Sequence, residues 1–150
     1  MEPKVKGIID VTRKPEVYRE AKASGIIKLK PSTVELIYRG EVEKGDVLTT
    51  ARVAAILAVK NTPQIIPHCH PIPYTGIEVD FEKLGEERIR VYVTVRTTWK
   101  TGVEMDALTG VMAALLTIWD MVKKYEKDEK GLYPDTFIES VRVEEKVKQG

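Results

Sequence analysis

Two apolar runs of period two stand back to back in the middle of this chain, and they constrain its fold more than any other feature. Ile77, Val79 and Phe81 alternate with Glu78 and Asp80, and Ile89, Val91, Val93 and Val95 alternate with Arg90, Tyr92 and Thr94. Successive side chains of a strand point to opposite faces, so each run predicts a half-buried strand. Leu84-Gly85-Glu86-Glu87 joins the two as a hairpin.

The flanking segments carry helical signals. Ser32-Thr33-Val34-Glu35 has capping-box spacing and Gly40 follows as a stop, which predicts a short helix. Asp46 is placed to cap a second helix that runs to about Lys60, ended by Asn61 and Pro63. That helix is apolar almost all round (Leu48, Ala51, Val53, Ile56, Leu57), so it is expected to be buried, under a sheet or under another subunit. A long helix follows the hairpin from about Gly102 to Tyr125, with Val103, Ala107, Val111, Leu115, Ile118 and Val122 at helical spacing. Phe137 to Val143 reads as a last strand.

Residues 15–29 read two ways. Pro15 followed by Glu16 to Ala21 resembles a helix start, whereas Ile26-Ile27-Lys28-Leu29 resembles a strand end. If the segment is strand, the order becomes strand, helices, hairpin, helix, strand. That is the split βαβ pattern of ferredoxin-like α+β folds, with an antiparallel sheet and helices on one face.

Length and composition bound the function. The chain has 150 residues, suited to a single domain over residues 1–150, and 43% apolar with 31% charged residues is a globular mixture. A formal charge of +1 offers no basic excess for nucleic acid. Met1-Glu2-Pro3-Lys4 lacks the apolar stretch of a signal peptide, and no apolar run approaches the ~20 residues of a membrane span. A lone cysteine fits a reducing compartment. A soluble, cytoplasmic chain with no membrane and no nucleic-acid partner is expected.

Both histidines and the only cysteine fall together, as His68-Cys69-His70 between Pro67 and Pro71. Residues before prolines avoid the helical region, so this stretch is expected to be extended and stiff, with both imidazoles on one side and Cys69 on the other. Tetrahedral zinc takes three or four protein ligands, and no further His or Cys exists, so no metal site is expected. Lys44-Gly45-Asp46 opens the buried helix, where a lysine and backbone N–H groups suit a phosphate, or where Lys44 is simply solvated. Lys100-Thr101-Gly102-Val103-Glu104-Met105-Asp106 leads into the long helix; its carboxylates complement the helix dipole or face a ligand. Asp120 and Lys123, three apart, share a face near that helix's end, in surroundings unusually apolar for a solvated pair. They form a surface ion pair, or a lysine acid or base tuned by its carboxylate neighbour. On one straight helix Glu104 and Asp120 stand about 24 Å and roughly 160° apart. If both ends serve one small ligand, a second subunit must supply one of them.

Taken together, several blocks resemble the cyclic pyranopterin monophosphate synthase family of molybdenum-cofactor biosynthesis. They are Ile9-Asp10-Val11-Thr12, Lys44-Gly45-Asp46-Val47, Ala51-Arg52-Val53-Ala54, Ile66-Pro67-His68-Cys69-His70-Pro71, Lys100-Thr101-Gly102-Val103-Glu104-Met105 and Leu116-Thr117-Ile118-Trp119-Asp120-Met121-Val122-Lys123, in family order over nearly the whole chain. The resemblance implies a ferredoxin-like subunit, strand over residues 15–29, and a homohexamer built as a trimer of dimers with sites shared between subunits. It implies a lyase that converts 3′,8-cyclo-7,8-dihydro-GTP to cyclic pyranopterin monophosphate, releasing diphosphate, with acid–base groups and cations and no redox cofactor.

By the same resemblance Asp120 is the catalytic aspartate and Lys123 its partner, with Lys44 and His70 at further catalytic positions. His68, Cys69, His70, Glu104 and Met105 match substrate-contacting positions, and Arg19, Lys14, Lys100 and Asp106 complete the expected binding set. Two positions depart from the family's pattern. His68 stands where leucine is common, and Asp106, one methylene shorter, stands where glutamate is common.

Overall fold

The computed structural model describes residues 7–150. The reading of Met1-Glu2-Pro3-Lys4 lies outside them. The elements are strand β1 (Val17–Lys28), helices α1 (Pro31–Arg39), α2 (Val47–Lys60) and α3 (Thr62–Ile65), strands β2 (Tyr74–Leu84) and β3 (Arg88–Trp99), helix α4 (Glu104–Glu126) and strand β4 (Phe137–Gln149). The sheet order is β2-β3-β1-β4 and each neighbouring pair is antiparallel. This is the expected split βαβ arrangement, an α+β fold with its helices on one face.

Residues 15–29 resolve as strand. β1 pairs with β3 along its whole length, from Val17 opposite Trp99 to Lys28 opposite Arg88. The face turned to the helices presents Ala21, Ala23, Gly25 and Ile27 opposite Val95, Val93, Val91 and Ile89. The three small residues let α4 descend onto the sheet. A Cβ built on Gly25 would stand 2.8 Å from both Leu115 Cδ1 and Val111 Cγ1, so glycine sets the closeness of that approach. The same holds between helices, where a Cβ on Gly110 would meet Val59 Cγ2 at 2.9 Å. The sheet's other face is charged: Arg96 lies 2.8 Å from both Glu20 and Glu78, and Arg88 lies 2.7 Å from Glu139.

The helices differ from expectation in three respects. α2 is buried along Val47, Ala51, Ala55 and Val59, but Val53 and Leu57 are 52% and 54% exposed on its outer side. Its buried flank packs mainly on α4 and more lightly on β2, and a single chain leaves the other flank of this largely apolar helix uncovered. α4 is long and apolar enough by length and composition to cross a membrane, contrary to the reading of the sequence, yet here it is the core helix over the sheet. α1 begins at Pro31 with Lys30 as N-cap and no side-chain cap of its own. A proline at the first helical position is pre-set for the helix. Thr33, expected inside a capping box, instead donates its hydroxyl to Glu126 of α4. Glu126 is fully buried and also accepts from Thr136 Oγ1 at 2.6 Å and from the Lys30 backbone N–H at 3.2 Å.

β4 continues to Gln149, six residues past the predicted end at Val143. Its register shifts twice against β1, between Lys22 and Ala23 and between Ser24 and Ile26, and Ser140 has a positive φ of 56°. Bulges on an exposed edge strand erase the period-two signal.

Candidate active site

The side chains singled out above form two groups, one near each end of α4. At the start of α4, the expected extended strip is a turn: the Cys69 backbone N–H donates to Ile66 O at 3.1 Å. Pro67 does hold its predecessor extended, with Ile66 at φ −109° and ψ 100°. His68 and Cys69 do not precede a proline, so they are free to reverse the chain between α3 and β2. The imidazoles still meet one partner segment. His68 Nδ1 is 2.5 Å from Gly7 O and His70 Nε2 is 2.6 Å from Ile9 O. A carbonyl only accepts, so each of those ring nitrogens carries the hydrogen. Lys100 Nζ donates to Thr12 O at 3.2 Å. Residues 7–12 thus lie across His68, His70 and Lys100, beside an open cleft of about 310 Å³ that includes Ile9, Thr12, His70, Trp99 and Lys100.

Arg19, from β1, donates to the Trp99 and Lys100 carbonyls at 3.2 and 3.3 Å and so fixes the turn that feeds α4. It shares a small cavity of about 100 Å³ with Glu104, Lys146 and Lys148. Lys146 Nζ reaches Glu104 Oε1 at 3.5 Å, while Glu104 Oε2 is buried with no hydrogen-bond partner. Met105 is exposed, and Lys14 is exposed in the turn that follows residues 7–12.

Asp106, read as a ligand contact, is fully buried. Its Oδ1 accepts from the Tyr74 hydroxyl at 2.5 Å, and its Oδ2 has no partner. Burial pushes its carboxyl above the ordinary range; the Tyr74 hydrogen bond works in the opposite sense, and Glu104 adds to the rise. Cys69 is pushed up by burial and then by the nearby charges of Asp106 and Glu104, so it stands as a thiol at neutral pH. Neither Tyr74 nor Lys146 was singled out in the sequence. Tyr74 precedes the strand predicted from Ile77 and carries no local signal beyond its place after Pro73, and Lys146 lies beyond the predicted end of the last strand.

Near the other end of α4, Lys123 Nζ lies 2.8 Å from Asp120 Oδ1. Lys44 joins them from the turn before α2. Its Nζ donates to the Asp120 backbone carbonyl at 3.2 Å and lies 3.5 Å from Oδ2. The hydrogen bond and charge of Lys123, followed by the charge of Lys44, hold the Asp120 carboxyl below its usual range. In return Asp120 pushes Lys123 up, so Lys123 is an ammonium at neutral pH. A cavity of about 290 Å³ adjoins the trio, lined by Glu43, Lys44, Met121, Lys123, Lys124 and Tyr125.

A single chain therefore gathers Lys44, Asp120 and Lys123 in one place, and His68, Cys69, His70, Lys100, Glu104 and Asp106 around the start of α4. It does not bring the two groups together, since Asp120 lies sixteen residue steps after Glu104 on the helix, at about 1.5 Å each. Among the described residues no three His, Cys, Asp or Glu side chains converge in a way that would hold a metal ion.

Comparison with known proteins covers almost the entire chain. A family model described as the MoaC family matches residues 8–149. The chain is 60% identical over 141 residues to the probable cyclic pyranopterin monophosphate synthase of Pyrococcus horikoshii, covering 94% of this chain and 88% of that protein. It is 58% identical over 142 residues to the protein of that name from Pyrococcus furiosus, covering 95% and 90%. The corresponding protein of Methanosarcina mazei is 60% identical over 141 residues, covering 94% and 89%.

Proposed function

The chain belongs to the MoaC family, of molybdenum-cofactor biosynthesis, and from that premise we propose that it is a cyclic pyranopterin monophosphate synthase, converting 3′,8-cyclo-7,8-dihydro-GTP to cyclic pyranopterin monophosphate with release of diphosphate. The reaction is a lyase step run by acid–base chemistry in a site that copies of the chain share within a hexamer, a trimer of dimers.

The observation that carries this reading is the Lys44–Asp120–Lys123 trio. Two ammonium groups flank one carboxylate, which leaves a net positive site for a leaving diphosphate. Lys123, held as an ammonium by Asp120, acts as a proton donor or as a cation on a departing oxygen. Ring rearrangement also needs protons moved at nitrogen and oxygen atoms. The other half of the site supplies groups for that work in His70, with Cys69, Glu104 and Asp106 beside it. His68, Met105, Arg19, Lys14 and Lys100 complete the surface offered to the substrate.

The two halves meet across a subunit boundary. Exposed Val53 and Leu57 on α2 give an apolar outer face on which copies associate, as do Met105, Met112 and Leu116 along one side of α4. The test is incubation of the purified protein with the cyclic GTP-derived substrate, following pterin product and diphosphate. Formation of both is expected. Tight binding with no turnover overturns the enzymatic reading in favour of a nucleotide-binding scaffold.

A further inference from the structure

Tyr74 joins three elements through one oxygen. From the head of β2 its hydroxyl lies 2.9 Å from the Val59 carbonyl at the end of α2 and 2.5 Å from Asp106 Oδ1 in the first turn of α4. Two acceptors face a group that has one hydrogen to give. Asp106 is fully buried and its Oδ2 makes no hydrogen bond. Glu104 and Cys69 are the other ionisable groups that act on this pocket.

Two arrangements of hydrogens fit the same heavy-atom positions. With Asp106 ionised, Tyr74 donates to Oδ1. With Asp106 protonated on Oδ1, the acid donates to the Tyr74 oxygen and Tyr74 turns its hydrogen to Val59 O. Every hydrogen has an acceptor in both, and Tyr74 keeps its own proton throughout, its phenol being pushed well above the usual range by burial and then by Asp106.

We propose that Tyr74 is a positioning residue of the active site, its hydroxyl turning between Val59 O and Asp106 Oδ1 so that the buried Asp106 carboxyl takes up and returns a proton without any heavy atom moving. This rests on the function proposed above and deepens it, because it gives the buried Asp106 carboxyl the part of a proton carrier. It also accounts for an aspartate here: the shorter carboxyl is met by a tyrosine hydroxyl rather than by solvent.

The experiment is Tyr74→Phe in the full chain, which removes one oxygen and keeps the ring. Three readouts are taken: the Asp106 titration by carbon-13 carboxyl NMR, the pH profile of kcat/KM, and the thermal midpoint. Both protonation states lose a hydrogen bond to Tyr74, but the one to the charged form is the stronger, so its loss raises the Asp106 midpoint by about one pH unit, about tenfold in proton affinity. The acidic limb of the profile moves up by the same amount. An unchanged Asp106 midpoint in folded Tyr74→Phe overturns the proposal. Asp106→Asn identifies the signal and removes that limb; a limb that survives it overturns the proposal too, which covers the case where Tyr74→Phe does not fold. If the parent protein makes no pterin product, the functional reading fails, and the carboxyl titration still decides what Tyr74 does to Asp106.

Discussion

Nζ of Lys123 lies 2.8 Å from Oδ1 of Asp120, one turn earlier on α4. Asp120 is largely exposed and Lys123 partly so, and ion pairs open to solvent contribute little to stability. Their placement beside Lys44 is therefore a matter of chemistry more than of folding. Lys123→Ala is expected to lower product formation by at least about a hundredfold. The far-ultraviolet spectrum and the thermal midpoint should stay close to those of the parent protein. Turnover within a few-fold of the parent would remove Lys123 from the mechanism.

The same contact predicts a pH effect with a definite sign. Asp120 pushes the Lys123 ammonium above its ordinary range through a hydrogen bond and then through charge. Asp120→Asn removes the charge, so Lys123 loses its proton at a lower pH. The basic limb of kcat/KM should move down in Asp120→Asn, and a profile measured from neutral pH upward checks it. A limb that stays in place would mean that another group sets it.

Glu126 holds the fold where α1, α4 and the start of β4 meet. Its carboxylate is fully buried and accepts from Thr33, Thr136 and the Lys30 backbone N–H. Glu126→Ala strands three donors at once, two of them on buried threonines, and a buried group left without its partner costs about 1–3 kcal/mol. A loss of about 3 kcal/mol is expected in urea unfolding, seen as a lower midpoint with an unchanged slope. A loss under about 1 kcal/mol would show that water satisfies the donors instead.

What could be read from the sequence follows from how local each cause is. The Ile89 to Val95 alternation is a local signal, and every one of its apolar positions is fully buried against the helices. The Asp120–Lys123 pair is equally local, three residues apart on one helix. Ala21, Ala23 and Gly25 carry little strand preference of their own; they are strand because β3 and α4 require small residues there. The Ser32 capping box lost to a carboxylate from the far end of α4, which no window around Ser32 contains. The stretch after Val143 carries a single apolar residue, Val147, at the sheet edge, so no alternation marks it as a strand. Lys44 is legible locally as a lysine at the start of α2, but only the family resemblance joins it to Asp120, because that partner lies across the fold. Tyr74 escaped altogether, since its role depends on an oxygen placed between two helices.

The position of the two groups along α4 leads to the most direct test of assembly. Glu104 opens the helix and Asp120 lies near its end, about 24 Å further on at the rise of an α-helix. One nucleotide cannot touch both in one chain. Lys123→Ala and His70→Ala should each be inactive alone, and each leaves the other half of the site whole. Mixing the two and allowing subunits to exchange lets an intact His70 half meet an intact Lys123 half. With random pairing at equal amounts, about one quarter of the shared sites are complete, so about one quarter of the parent turnover should return. A mixture that stays inactive after exchange has been verified by mass would confine each site to a single polypeptide.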